Sequence, residues 1–248
     1  MSGFRCDLHI HSCLSPCADD DMTPYSIAGM AKLNGLAVAA LTDHNACGNC
    51  ESFFTACRGY GIVPVAGMEL TTSEDVHLLC LFRSLEDALA FAAEVENMRI
   101  RIPNREEVFG KQLLIGLDDE PTGQEPFLLI NATLLSLEEA SELAVIHGGA
   151  PVPAHVDREG NGVVAVLGDL PLYPAFAAVE YREQTNEAAY EARYPRLRGK
   201  RKIISSDAHR LWEIASPGCL LELNCPADAK EQEVRDALID FLQGKQNG

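Results

Sequence analysis

The sequence predicts an α/β domain in which strands alternate with helices, and three observations carry that reading. Short apolar runs recur along the chain, each leads through a polar corner into a helix-like stretch, and the rare polar residues gather at those corners. Strand-like runs fall at 5–10, 36–42, 62–66, 76–82, 128–130, 152–154, 178–181 and 202–205, with 220–223 following late. Such alternation favours parallel β/α units. Barrels built from those units place their chemistry at the C-terminal ends of the strands.

The helices announce themselves by their starts. Thr23 followed by Pro24 supplies an N-cap and an N1 proline for a helix reaching about residue 34. Ser84 with Asp87, and Ser136 with Glu139, have the capping-box spacing ahead of apolar-periodic segments. Residues 226–243 read as a closing amphipathic helix. The stretch 99–127 breaks the rhythm with Gly110, Gly116, Asp118, Asp119, Glu120 and Pro121. It is read as an insertion or lid within a single 1–248 domain, with Lys111 and Gln112 able to close over a ligand.

Composition narrows the function classes. At 47% hydrophobic and 23% charged, the 248 residues are ordinary for a globular domain with a substantial core. No apolar run approaches the roughly 20 residues that span a bilayer, so no membrane partner is expected. Residues 1–7 lack the basic and apolar regions of a signal peptide, and the nine scattered cysteines suit a reducing compartment, so the expected location is cytoplasmic. Twenty basic against 37 acidic residues give a formal charge of −17. That balance argues against long nucleic acid as a partner. A small anionic substrate stays open, because bound cations reverse the potential inside a pocket.

Six of the seven histidines stand at predicted strand ends or tight corners, often beside a carboxylate. His9 and His11, two apart on the first strand, point to one face and can close on one ion. Asp19, Asp20 and Asp21 follow. The second strand ends Leu41-Thr42-Asp43-His44, the third Gly67-Met68-Glu69, and the fourth carries His77. Later corners hold His155 and the run Ser206-Asp207-Ala208-His209. A single histidine of this kind is usually structural. Recurrence at five strand ends, with Asp or Glu at hand, points to a metal-dependent hydrolase using Zn, Mn or Fe. Asp43 is expected to orient a neighbouring histidine or to cap its own turn. His147, before Gly148 at a helix end, is read as structural.

Together, His9-x-His11 within Asp7-Leu8-His9-Ile10-His11-Ser12, the Thr42-Asp43-His44 corner, Gly67-x-Glu69, His77, Ala154-His155 and Ser206-Asp207-Ala208-His209 resemble the successive motifs of the polymerase-and-histidinol-phosphatase (PHP) family. The motifs keep the family's order over about residues 4–210. The resemblance implies a distorted seven-stranded β/α barrel, TIM-like, with two to three divalent ions and phosphoesterase activity. It implies one ion on His9, His11, Glu69 and Asp207, and a second on bridging Glu69 with His77 and His155. A third would lie on Asp19, His44 and His209. Several family members have histidine at the aspartate run. Asp19 is chosen over Asp20 and Asp21 because it stands five before Pro24, as in the family's Ser-Asp-Gly version of this corner.

The expected reaction is hydrolysis of a small phosphorylated metabolite or nucleotide by metal-activated water. Asp207 and His209 are the expected catalytic residues, with His209 or a metal-bound water protonating the leaving oxygen. Arg158, three after His155, and Arg182, two after Glu180, are the expected phosphate grips; Arg158 could instead pair with Asp157 or Glu159. Within the family, histidinol-phosphate phosphatase and short-oligonucleotide exonuclease are alternatives. A noncatalytic metal-binding or interaction module is the alternative of another class. Cys13, Cys17, Cys47 and Cys50 raise a separate option of a structural zinc or an iron–sulfur cluster, against thiols simply packed around the loops.

Overall fold

The structure is a computed structural model that describes residues 1–214 and 218–245. Strand β1 (Ser2–Asp7) is followed by helix α1 (Pro24–Leu33), β2 (Val38–Leu41), α2 (Cys50–Tyr60), β3 (Val63–Thr71) and β4 (His77–Leu81). Then come α3 (Leu85–Asn97), α4 (Glu106–Phe109), β5 (Leu113–Ile115), β6 (Pro121–Gln124), α5 (Leu137–Ile146) and β7 (Ala150–Pro153). The chain closes with α6 (Val163–Leu167), β8 (Ala178–Tyr181), α7 (Glu187–Arg193), β9 (Arg201–Ile204), β10 (Cys219–Leu223) and α8 (Glu231–Leu242).

The capping chemistry works as the sequence predicts. Thr23 and Ser84 accept from Ser26 N and Asp87 N, and Ser136 with Glu139 closes a reciprocal capping box. Each such cap contributes about 1 kcal/mol. Helix α8 begins at Glu231, not at residue 226, because 226–230 form a turn. The run 128–130 is no strand: Leu128 and Leu129 are buried in irregular backbone. His147 ends α5 and faces Glu94 at 2.9 Å, away from the other histidines.

Ladder pairing joins six strands in the order β10-β1-β2-β3-β4-β7, while β8 and β9 form a separate parallel pair packed between β7 and β10. Among the described residues, β1-β2-β3 and β8-β9 are the parallel neighbours, while β4, β7 and β10 pair antiparallel. The expected run of parallel β/α units is therefore interrupted, and ladder pairing among the described residues gives a curled six-stranded sheet with β8–β9 as a separate pair and β5–β6 as a hairpin. Two local causes are visible. Only five residues, 72–76, join β3 to β4, too few for a parallel crossover. Ala154 N donates to His77 O at 3.1 Å, so even positions of β7 face β4. Pro151 and Pro153 then fall on the edge toward β8, where they have no N–H to offer a ladder.

The strands read as continuous apolar runs because both faces are covered. In β2, Val38 and Ala40 join one buried cluster with Cys6, Leu79 and Leu238 of α8, while Ala39 and Leu41 join a second with Ile27 of α1 and Phe53 of α2. No helix among the described residues is long and apolar enough to cross a membrane.

The 99–127 segment carries the β5–β6 hairpin, which the shortness of both strands, the exposure of β6 and Pro121 concealed from periodicity. It braces the loops that follow β1 and β2. Leu113 N donates to Cys13 O at 2.8 Å, Asn49 bonds Leu113 O and Ile115 N, and Asp119 accepts from Thr23 at the start of α1. Lys111 pairs with Asp20 at 2.8 Å. Gln112 does not face a ligand: it is buried and bonded to Glu125 O, Phe127 O and Leu129 N.

Candidate metal centre

The centre is built around Glu69 on β3. Its carboxylate lies 2.8 Å from His77 Nδ1, 3.0 Å from His155 Nε2, 3.1 Å from His44 Nδ1, 3.3 Å from His11 Nε2 and 3.4 Å from His9 Nε2. Asp207 Oδ1 stands 3.4 Å from both His9 Nε2 and His11 Nε2. These side chains come from the ends of β1, β2, β3, β7 and β9 and the start of β4. The β3–β4 hairpin returns His77 beside Glu69, as the Thr71–His77 register shows.

Three groups of donor atoms converge: His9, His11, Glu69 and Asp207; His44, Glu69 and His77; and His11, His44 and His209. His77 Nδ1 and His155 Nε2, 3.2 Å apart, also share Glu69 Oε1. Asp19 stands outside. It is partly exposed with its carboxylate 3.6 Å from Arg210, and only its backbone N–H reaches His209 O. The aspartate run is a surface turn, and His11 occupies the place beside His44 and His209 that Asp19 was expected to take.

Divalent ions suit this donor set. Ring nitrogens of His9 and His11 point at each other across 3.1 Å, and buried His44 Nδ1 and Asp207 Oδ1 have no hydrogen-bond partner. Converging lone pairs of imidazole and carboxylate are what Zn, Mn or Fe sites present. His155 and Asp207 sit at φ +27° and +51°, strained for residues other than glycine.

The electrostatics are strongly coupled. Burial lowers His11, yet the facing carboxylates of Asp207 and Glu69 outweigh it and push its pKa up to about 9. His9 is likewise raised against burial, chiefly by Glu180 and Glu69. Burial raises Glu69 and Asp207, but the facing imidazoles hold both well below the carboxylate range. Burial pushes His44 well down and, with His11 nearby, brings His209 to about 4.

Around these residues lies a hydrogen-bonded frame that sequence reading largely missed. His11 Nδ1 reaches Ser15 Oγ at 3.0 Å; Ser15 donates to Asp43 at 2.7 Å, and Ser12 reaches Asp43 through both N–H and hydroxyl. Asp43 thus orients His11 through one intervening hydroxyl. Asp7 accepts from Ser206 N and so ties β1 to the Asp207 corner. The serines give no pattern of their own. Glu180 did leave a signal, as a carboxylate inside the apolar run Ala178-Val179-Glu180-Tyr181.

A cavity of ≈ 270 Å³ opens at the centre, lined by His44, Glu69, His77, Asp207 and His209 together with Arg158, Cys17 and Ile130. Arg158 Nη1 and Arg182 Nη1 lie 3.3 and 3.6 Å from Asp207 Oδ2. Asp157 is not the partner of Arg158, since its carboxylate accepts from Arg182 N, Glu183 N and Asn186. The four singled-out cysteines do not converge. Cys47 and Cys50 Sγ lie 3.2 and 3.9 Å from Gly67 O, and no cysteine joins a metal-competent group among the described residues.

Fold and site together define a mixed α/β domain with a buried imidazole–carboxylate centre suited to divalent ions. Residues 7–117 match the model of the PHP domain, in agreement with the family resemblance of the motifs. His155, Asp207 and His209 lie beyond the matched residues and join the centre through the fold. No curated protein matches the chain. Among solved structures, a lesion-specific endonuclease from Pyrococcus furiosus superposes with TM-score 0.62 at 17% identity, over 98% of this chain and 56% of that one. The chain thus spans little more than half of that enzyme. A proposed metal-dependent phosphoesterase from Bifidobacterium adolescentis matches with TM-score 0.57 at 19% identity, over 94% of this chain and 95% of its own. An amidohydrolase from Chromobacterium violaceum, with sulfate bound and no metal, matches with TM-score 0.56 at 20% identity, over 93% and 96%. At these identities the likeness is one of fold.

Proposed function

We propose that this chain is a metal-dependent phosphoric ester hydrolase acting on a small phosphorylated metabolite or nucleotide. The observation that carries the reading is Glu69, one buried carboxylate within 3.4 Å of five histidine rings. His9, His11, Glu69 and Asp207 would hold one ion. His77 and His155 with Glu69 would hold a second, and His44 and His209 with His11 a third. When bound, such ions supply an activated water near neutral pH and neutralise the phosphoryl oxygens.

The chain's own groups do the rest. Arg158 and Arg182, about half exposed above Asp207 Oδ2, grip the phosphate as it enters and stop it being repelled by an acidic protein. His209 Nδ1 meets Asp207 O at 2.8 Å, which leaves Nε2 as a lone-pair site. With a pKa near 4, the ring is neutral at pH 7 and serves as ligand or proton acceptor more readily than as proton donor. Water at the exposed cavity mouth is the better proton source for the leaving oxygen.

The test is metal analysis of the purified chain joined to a phosphate-release screen over mono- and diphosphorylated nucleotides and sugar phosphates. Bound Zn, Mn or Fe and metal-dependent phosphate release are expected. A chain that holds no divalent ion at neutral pH sinks the proposal. The fold shared with a lesion-specific endonuclease favours a second reading, cleavage within nucleic acid. A net charge of −17 weighs against it, and nicking of an abasic-site duplex in preference to small esters would reverse the order.

Arg158→Ala should leave metal content unchanged and raise KM by about 10-fold, the worth of one charge-assisted hydrogen bond. Because Arg182 leans on the same oxygen, the double variant should lose more than either single one. Steady-state kinetics on any ester found by the screen decides, and unchanged kinetics in the double variant would remove both arginines from the site.

A further inference from the structure

Glu180 is buried in β8 among apolar neighbours, and a carboxylate is a costly choice there unless its oxygens have partners. It does not line the cavity. Its Oε2 lies 2.9 Å from His9 Nδ1 and accepts from His155 N at 3.0 Å, while Oε1 has no hydrogen-bond partner. One oxygen therefore holds a histidine from the end of β1 and a histidine from the end of β7. Pro151 and Pro153 leave the β8-facing edge of β7 without N–H donors, so β8 first bonds this edge at His155 and at Val156, whose N–H donates to Glu180 O at 2.8 Å.

From this geometry we propose that Glu180 is the positioning residue that sets two of the candidate metal ligands at once, a role that rests on the metal-centre reading above. Oε2 already accepts from His155 N–H, and as an acceptor at 2.9 Å it calls for the proton of His9 on Nδ1. That tautomer leaves the Nε2 lone pair facing Glu69, Asp207 and His11. The same oxygen pins the His155 backbone at φ +27°, a conformation a β-bonded residue would leave, and so aims His155 Nε2 at Glu69. Glu180 thereby couples the placement of His9 to that of His155, the two side chains that would serve as ligands.

The experiment compares wild type, Glu180→Ala and Glu180→Gln, stripped of metal and titrated with Zn²⁺ against a chromophoric chelator. The histidine-ring ¹⁵N spectrum reads the His9 tautomer. Glu180→Ala is expected to weaken Zn²⁺ binding by about 10–100-fold and to mix the His9 tautomers. Glu180→Gln keeps an acceptor oxygen and is expected to recover part of the affinity and most of the Nδ1–H form. A folded Glu180→Ala with wild-type affinity and an unchanged His9 signal overturns the proposal. If that variant does not fold, Glu180→Gln decides: loss of affinity with a displaced Nδ1–H signal supports the role, and wild-type values for both overturn it. Neither measurement uses ester cleavage, so a wild-type chain that binds Zn²⁺ in this way but hydrolyses nothing refutes the proposed function alone.

Discussion

Glu69→Gln is expected to keep the fold and to lose metal-dependent phosphoesterase activity by about three orders of magnitude or more. The side chain is nearly isosteric, so β3 and its ladder have no reason to move. What disappears is the one negative charge facing five imidazoles, with Oε1 shared by His9, His77 and His155 and Oε2 by His11 and His44. An ion placed between two ligand sets loses its bridge, and the several kcal/mol it would supply to the reacting phosphoryl group go with it. Metal stoichiometry and kcat/KM on the same preparation provide the check. Near wild-type values in both would remove Glu69 from the centre.

Removing metal should lower Tm by on the order of 10 °C, since an ion at about a thousand times its Kd contributes about 4 kcal/mol to a domain of this size. The metal-free chain should also acquire a pH optimum near 6.5. His11 is raised to about 9 by Asp207 and Glu69. Its contribution is complete below about 6.5, the unfolded value, and is lost as pH rises toward 9. His209 is depressed to about 4. The unfolded chain binds that proton below about 6.5 while the folded one refuses it, so stability falls as pH drops from there toward 4. Depressed Glu69 acts in the same sense, its contribution being lost below the ordinary carboxylate range. Loading with metal should flatten the alkaline side, because ligation already holds the rings deprotonated. Calorimetry of chelator-dialysed and reloaded protein from pH 5 to 9 tests both limbs. A metal-free Tm that climbs between pH 7 and 9 would contradict the His11 assignment.

Much of this centre was readable from spacing because the relevant physics is local. His9 and His11 share a strand face whatever the rest of the chain does, and a polar Asp-His or Gly-x-Glu after an apolar run marks a strand end. The helix starts at Thr23, Ser84 and Ser136 were equally plain, since a cap is a contract between residues three apart.

What spacing did not contain is anything decided by distant partners. Strand direction at β4, β7 and β10 depends on which edge is free to accept a ladder, and no single segment encodes that. Asp19, Asp20 and Asp21 are chemically equivalent in the chain. Only folding shows that this turn faces Arg210 and Lys111, leaving His11 beside His44 and His209. The contribution of Ser12 and Ser15 is likewise tertiary, because a hydroxyl has no direction until Asp43 arrives from β2 to receive it. The amino-acid order therefore marked which side chains are candidates for holding an ion. The tertiary structure settled which of them meet, because a shared ion site needs lone pairs converging within a few ångströms from strands far apart in sequence.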